Sequence, residues 1–377
     1  MTALVRRAAL GVALAACSSG KPGGLAFHRE VIDPAFRAEG VTVFDVDHDG
    51  NLDIVTDQLW YAGPHFTPHE VTTPQTFDVN AGYASSFGAF HMDVDADGYD
   101  DLVSFGLPDT PVKWCKNPRG EDVHWQCFPI NADEFEESPA ITNAFDGRTT
   151  VMMGVAAPRV IGWMEPSSQP TDPWIIHPIT ADPFAPMNHG LGLGDLDGDG
   201  RVDLLTGAGW FQQPSDPTSA WPFFPEDWCP DNCSHMYVHD FDGDGRADVI
   251  GASPHNYGAW WWHQERDGSF TKNVIDSTIS ENHSAALVDL DGDGIPELVT
   301  GKRYWAHFDR DAGATDPILL VAYKYRLDRG EVVWDRTVLD EGIGVGSHQL
   351  EVVDVDRDGK PDIVVATRKG IVLLRHE

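Results

Sequence analysis

Six segments of this 377-residue chain place carboxylates at a spacing that suits a hard cation. Each reads D-x-D-x-D-G-x-x-[DE]. The copies are Asp45, Asp47, Asp49 and Asp53; Asp93, Asp95, Asp97 and Asp101; Asp195, Asp197, Asp199 and Asp203. They continue with Asp240, Asp242, Asp244 and Asp248; Asp289, Asp291, Asp293 and Glu297; and Asp354, Asp356, Asp358 and Asp362. Carboxylates at positions 1, 3, 5 and 9 crowd oxygens around one point, and Gly at position 6 lets the backbone turn sharply, which suits calcium. The EF-hand opens the same way but closes with a bidentate Glu at position 12. Here position 12 holds Thr56, Ser104, Thr206, Gly251, Thr300 and Val365, none of them acidic.

A second set of residues points to proton or transition-metal chemistry. His189, His283 and His348 each stand six residues before the first Asp of a loop, after Asn188, Asn282 and Ser347; His235, after Ser234, stands five before. The equivalent positions elsewhere are Glu39, Phe87 and Glu136, so the imidazoles gather on one side. Neutral imidazoles could hold Zn2+ or Mn2+ with an open position for a substrate oxygen. Alternatively, one His could act as general base beside a carbonyl. Lys302, Arg303 and Arg368, with Lys369 nearby, are candidate partners for an anionic group or developing oxyanion, and His255 and Tyr257 occupy a loop of the same kind.

The elements that must position these residues are strands. After each acidic loop comes a short β-branched run, as in LDIVT, DLVSF and DIVVA, so the loops join strand to strand. Their first aspartates are 48, 102, 45, 49 and 65 residues apart, and a period near fifty with several strands per period is the mark of a propeller blade. The double interval predicts a degenerate copy, and TNAFDGRTTVMMG supplies it, with Thr142, Ala144, Asp146, Gly147 and Thr150 at the loop positions and too few oxygens for an ion. The expected fold is all-β, a seven-bladed β-propeller with six calcium loops. A Trp row (Trp60, Trp114, Trp163, Trp210, Trp260, Trp305) is expected to pack between blades. The chain ends on the third strand of its last blade, and AFHREVID near the start resembles the missing fourth, so the two should pair. Six residues at about 3.3 Å each separate the His positions from the acidic loops by roughly 20 Å, which puts the two sets on opposite faces.

The acidic motifs are similar to the FG-GAP/VCBS repeats of integrin-α-type propellers and of many secreted bacterial proteins, over nearly all of residues 25–377. That resemblance implies the propeller and its calcium ions, and leaves activity open. The His cluster together with the loop cations resembles the propeller domain of aldos-2-ulose dehydratases and, more loosely, propeller-type polysaccharide lyases with a His-bound metal. It implies a sugar lyase or dehydratase working by β-elimination. The cupin part of the dehydratases is absent, so no isomerase step is implied. The alternative is a non-catalytic surface module that binds glycans or partner proteins.

MTALVRR followed by AALGVALAA and Leu14-Ala15-Ala16-Cys17 resembles a bacterial lipobox, which implies a signal peptide over 1–16, lipid on Cys17, a tether over 17–24 and the propeller over 25–377. Ser18 is compatible with the outer membrane or cell surface. Four cysteines remain, and an exported chain should pair Cys115 with Cys127 and Cys229 with Cys233. A zinc site of Cys229, Cys233 and His235 is the competing reading. The formal charge of −34 would fall to −22 with six Ca2+ bound, a surface that repels nucleic acid. A carbohydrate or surface glycan is the expected partner of a self-closed monomer. No serine-hydrolase elbow, phosphate loop or dinucleotide fingerprint stands in a strand–turn–helix setting.

Overall fold

In a computed structural model, residues 24–107, 110–133, 139–145, 148–155, 159–180, 189–229, 232–346 and 349–377 are described. The chain runs as successive antiparallel meanders. After β1 (Phe27–Asp33), the first meander is β2 (Thr42–Phe44), β3 (Asp53–Val55), β4 (Leu59–Ala62) and β5 (Thr67–Glu70). The second holds β6 (Gly88–Met92), β7 (Asp101–Phe105), β8 (Pro111–Lys116) and β9 (Gln126–Asp133). The third holds β10 (Ala140–Phe145), β11 (Arg148–Val155), β12 (Val160–Glu165) and β13 (Ile175–Pro178). Next come β14 (Gly192–Gly194), β15 (Asp203–Thr206), β16 (Gly209–Phe211) and β17 (Phe223–Pro225), then β18 (Met236–His239), β19 (Asp248–Ala252), β20 (Tyr257–Gln264) and β21 (Phe270–Ser280). The sixth holds β22 (Ala285–Val288), β23 (Glu297–Gly301), β24 (Leu319–Asp328) and β25 (Glu331–Glu341). Last come β26 (Glu351–Val353), β27 (Asp362–Thr367) and β28 (Gly370–His376).

Hydrogen bonding sorts these strands into five four-stranded sheets and one of eight. The large sheet arises because β14 and β18, the first strands of neighbouring meanders, pair in parallel. Glycines make this approach possible. A Cβ on Gly190 would meet the Ser234 carbonyl, and one on Gly192 or Gly194 would press on Met236 or Val238. The result is an all-β propeller, and among the described residues no helix is long and apolar enough to cross a membrane.

Apolar clusters fill the space between consecutive meanders. Trp60, Leu102 and Cys115 lie between the first and second, Trp114 and Met153 between the second and third, and Trp163 and Leu204 between the third and fourth. Trp210 and Val249 continue the series, followed by Trp261 with Val321, then Leu320 with Val365. Val41 and Ile54 of the first meander meet Val364 and Leu373 of the last. The expected strand pairing of the two chain ends is present, with β1 antiparallel to β28 as its fourth strand.

One member of the Trp row, Trp305, is corrected; Trp260 packs between the fourth and fifth meanders as expected, though not at the equivalent strand position. Trp60, Trp114, Trp163 and Trp210 pair with Val55, Val103, Met152 and Leu205, each two residues past loop position 9. The equivalent residue of β20 is Trp261, opposite Ile250; Trp260 pairs with Gly251 and faces the other side, because strand side chains alternate. Trp305 lies in a loop before β24, where it stacks on Arg368. The third meander stands where the degenerate copy required one, but Thr142 and Ala144 lie within β10, with Thr142 opposite Thr150 and Phe145 opposite Arg148. Asp146 and Gly147 lie outside the described residues.

Candidate functional site

The six acidic segments connect first to second strands in their meanders and so share one face. Position 9 is buried and ties the loop to the third strand. Asp53 accepts from Val46 N at 2.8 Å and Gly63 N at 2.8 Å; Asp101 accepts from Val94 N at 3.1 Å and Asn117 N at 2.8 Å. Burial, then repulsion from Asp47 and Asp45, pushes the Asp53 carboxyl up to about 6 against its backbone hydrogen bonds. A divalent cation relieves that repulsion. The donor set fits calcium: carboxylate oxygens of Asp45, Asp47 and Asp53, and of Asp93, Asp95 and Asp101, lie within 4.8 Å of one another, and Asp45 Oδ1 is buried without a hydrogen bond.

On the opposite face, imidazoles converge. His189 precedes β14, His283 precedes β22, His255 sits in the β19–β20 loop, and His307 with Asp311 in the β23–β24 loop. His189 Nε2 faces His255 Nε2 at 2.5 Å. Ring centroids of His283 lie 5.7 Å from His189 and 5.5 Å from His255. One Asp311 oxygen takes both remaining nitrogens, at 3.1 Å from His255 Nδ1 and 2.6 Å from His307 Nδ1. With Nδ1 protonated, both rings donate to Asp311 and keep Nε2 as a lone-pair donor. His283 Nδ1 faces the Glu281 carbonyl at 3.3 Å, which orients it the same way.

Burial, with the neighbouring His189, pushes the His255 imidazole down to about 4 although Asp311 pulls it upward, so it is neutral at pH 7. Asp311 is partly buried, yet its bonds from His307 and His255 hold its carboxyl below the usual range. Ligand nitrogens of His189, His255 and His283 lie within 4.8 Å of one another, as do those of His255 and His307 with an oxygen of Asp311. This arrangement has three converging nitrogens, oriented second-sphere partners, and access through His307, whose side chain is 37% exposed. The loop backbone is strained, with φ of 59°, 44°, 62° and 57° at Trp305, His307, Phe308 and Asp309.

The expected site is partly redrawn. His189 and His283 meet, with His255. His348 lies outside the described residues, as do Ser347, Asn188 and Glu136. His235 goes elsewhere: it lines a cavity of about 380 Å³ between first strands, with Thr42, His91, Tyr237, Gln349 and Glu351. The registers Gly192↔Leu205 and Tyr237↔Ile250 make Ser234, not His235, the counterpart of His189, and a one-residue step changes the face. Burial pushes the Glu351 carboxyl in that cavity up to about 7, against the hydrogen bond from Gln349.

Lys302, Arg303 and Arg368 are corrected more strongly. All three are buried rather than presented by loops. Lys302 Nζ pairs with Glu281, and Arg303 Nε donates to Glu39 Oε2 at 2.9 Å. Arg368 lies 3.8 Å from Glu39 Oε1 and donates to the carbonyls of Val79 at 3.2 Å and Gly82 at 2.6 Å. A buried cation needs a partner, and these have found carboxylates within the fold. Cys229 and Cys233 form a disulfide, as do Cys115 and Cys127, so the thiolate zinc reading falls. Sequence reasoning missed His307 and Asp311. Their only signal was a His and an Asp four residues apart in the long insertion of the sixth meander, which otherwise forms the β24–β25 hairpin.

Residues 240–300 match an FG-GAP-like repeat and residues 187–220 an FG-GAP repeat. The chain therefore carries FG-GAP repeats on a propeller. No curated protein matches it significantly. Among solved structures, an Agrocybe aegerita lectin, described for specific recognition of non-reducing terminal N-acetylglucosamine, is 15% identical. It covers 89% of this chain and 79% of its own, with a TM-score of 0.32. A thermostable family-43 glycoside hydrolase is 13% identical, covers 68% of this chain and 94% of its own, and has a TM-score of 0.39. At these scores neither likeness carries a conclusion about this chain.

Proposed function

We propose that this chain is an exported, calcium-stabilised propeller of seven blades whose His-bearing mouth holds a transition metal and acts on carbohydrate as a lyase or dehydratase. The blade count is supported by the apolar clusters, each bridging two consecutive meanders, with the last bridging back to the first. FG-GAP repeats and two disulfides suit an oxidising, extracytoplasmic compartment. Lipid on Cys17 would anchor it; that segment lies outside the described residues.

The observation that carries the catalytic reading is the convergence of His189, His255 and His283 beside the His307–Asp311 pair. The three imidazoles would hold Zn2+ or Mn2+, and such an ion supplies polarisation of a substrate carbonyl or carboxylate oxygen. His307, oriented through Nδ1 by Asp311, would take the proton from the carbon next to that carbonyl. The C–H electrons then form the C=C bond as the C–O bond to the leaving oxygen breaks. Tyr257 and Phe308, 39% and 48% exposed at this mouth, offer aromatic faces to a sugar ring.

Calcium-saturated protein should retain about one equivalent of transition metal, and His255→Ala should lose it by elemental analysis while keeping its melt. Uronic-acid oligomers and oxidised sugars should yield the absorbance of an unsaturated product, lost in His307→Ala. No transition metal at saturating Zn2+ or Mn2+ would reject the metal centre. Metal without product from any such sugar would leave a glycan-binding module.

Calcium removal is a separate expectation. Empty loops carry repelling carboxylates, and ten-fold free calcium over Kd is worth about 1.4 kcal/mol per site, so excess chelator should lower Tm by roughly 10 °C in calorimetry. An unchanged melt would mean that the loops need no ion.

A further inference from the structure

The third-strand residue opposite loop position 9 differs from loop to loop. The registered pairs Ile54↔Tyr61, Leu102↔Cys115, Leu204↔Phe211, Val249↔Trp262, Leu298↔Tyr323 and Ile363↔Leu374 fix it. One step outward from these pairs, the position-9 acid faces Ala62, Lys116, Gln212, His263, Lys324 or Arg375 in turn. In the meander without an acidic loop, Val151↔Met164 places Glu165 there instead. Lys116, Lys324 and Arg375 thus put a fixed positive charge at this position in three of the six acidic loops.

Two of these residues reach deep into their loops. Lys324 Nζ lies 2.6 Å from Asp291, 2.7 Å from Asp293 and 2.9 Å from Glu297, which are loop positions 3, 5 and 9. Lys116 Nζ pairs with Asp95 and lies 3.2 Å from Asp97. The other loops differ. Arg375 touches Asp356 alone, at 3.0 Å, and turns its Nε to Glu30. Gln212 brings a neutral amide to Asp197, and Ala62 brings a methyl group.

We infer that Lys324 and Lys116 are tethered resident cations, which offset part of the negative charge of loops 289–297 and 93–101 without calcium and make them the weak calcium sites, while loop 45–53 is the tight one. This rests on the calcium reading of the loops. An ammonium offers one charge and three donors, whereas calcium takes six to eight oxygens. Accordingly Asp95 Oδ1 and Asp291 Oδ1 still lack a hydrogen bond. Calcium can claim these oxygens only by displacing the lysine, which shifts its affinity and not its coordination chemistry.

Lys324→Gln and Lys116→Gln, which copy Gln212, and Ala62→Lys, which copies Lys324, test this with calcium titration by calorimetry and native mass spectrometry. Each Lys→Gln change should strengthen one weak site on the order of ten-fold or more. Each should also lower the melt in chelator, with calcium restoring it. Ala62→Lys should remove the tightest site. Unchanged affinities in all three variants, with the parent still binding calcium, would overturn the inference alone. Absence of calcium binding in the parent and every variant would overturn the calcium reading with it.

Discussion

Deletion of residues 25–33 should abolish the cooperative melt of the whole domain and not merely trim its edge. The segment holds β1, whose residues pair with β28 from Phe27↔His376 to Asp33↔Ile371. One strand seals two apolar clusters at once. Leu25 and Phe27 pack against the cluster between the last two meanders, and Ile32 against the one that joins the last to the first. Polar ties reinforce it: Arg29 Nε donates to Asp340 at 2.8 Å, and Asp33 accepts from Tyr61 at 2.9 Å and from the Ala35 N–H at 2.8 Å. Without β1, β28 becomes an open edge and the ring loses its clasp. A domain is stable by only about 5–15 kcal/mol, and losing a full strand with two cluster lids exceeds that margin. Calorimetry and near-ultraviolet circular dichroism would read the loss, and a synthetic peptide of residues 24–34 should restore part of the signal. A cooperative transition within a few degrees of the parent would reject the clasp.

Glu39→Gln should cost about 3–5 kcal/mol in urea melts, the range for breaking a buried ion pair from one side. Glu39 is 1% exposed and serves two guanidinium groups, Arg303 at 2% and Arg368 at 1%. Removing its charge leaves two buried cations without their carboxylate. Burial, with Arg303 close by, already holds the Arg368 guanidinium below its ordinary range despite the pull of Glu39. Because these residues come from the chain before β2 and from the loops after β23 and β27, the pair fastens non-neighbouring parts of the sequence at the His-bearing mouth. Arg303 N also donates to the Glu281 carbonyl at 3.0 Å, the same oxygen that faces His283 Nδ1. The change should therefore weaken transition-metal retention as well as stability. Adding Arg303→Met to Glu39→Gln should recover part of the loss, because the unpaired charge goes with it. A Glu39→Gln cost below about 1 kcal/mol would mean that water reaches these groups.

The acidic loops, the strands they join and the pairing of the chain ends were legible in the sequence because each is a local pattern repeated along it. Loop spacing and strand alternation are set by a few neighbouring residues, so six copies state the same geometry six times. The disulfides were legible for a similar reason: Cys115 and Cys127 face each other on adjacent strands, twelve residues apart. Where the pattern was ambiguous by one residue it misled, as with His235 against Ser234, since a one-residue step reverses the face of a strand.

Only the tertiary structure decided what the charged residues near the His mouth do. Lys302 and Glu281 are 21 residues apart, but Arg303 and Glu39 are 264 apart, and no local rule pairs them. His307 and Asp311 belong to an insertion that breaks the period, so their arrival beside His255 depended on how one long loop folds over its neighbours. Repetition along the chain determined the scaffold, because each strand and loop needs only its own neighbours; the site was decided by contacts between meanders, which one sequence does not encode locally.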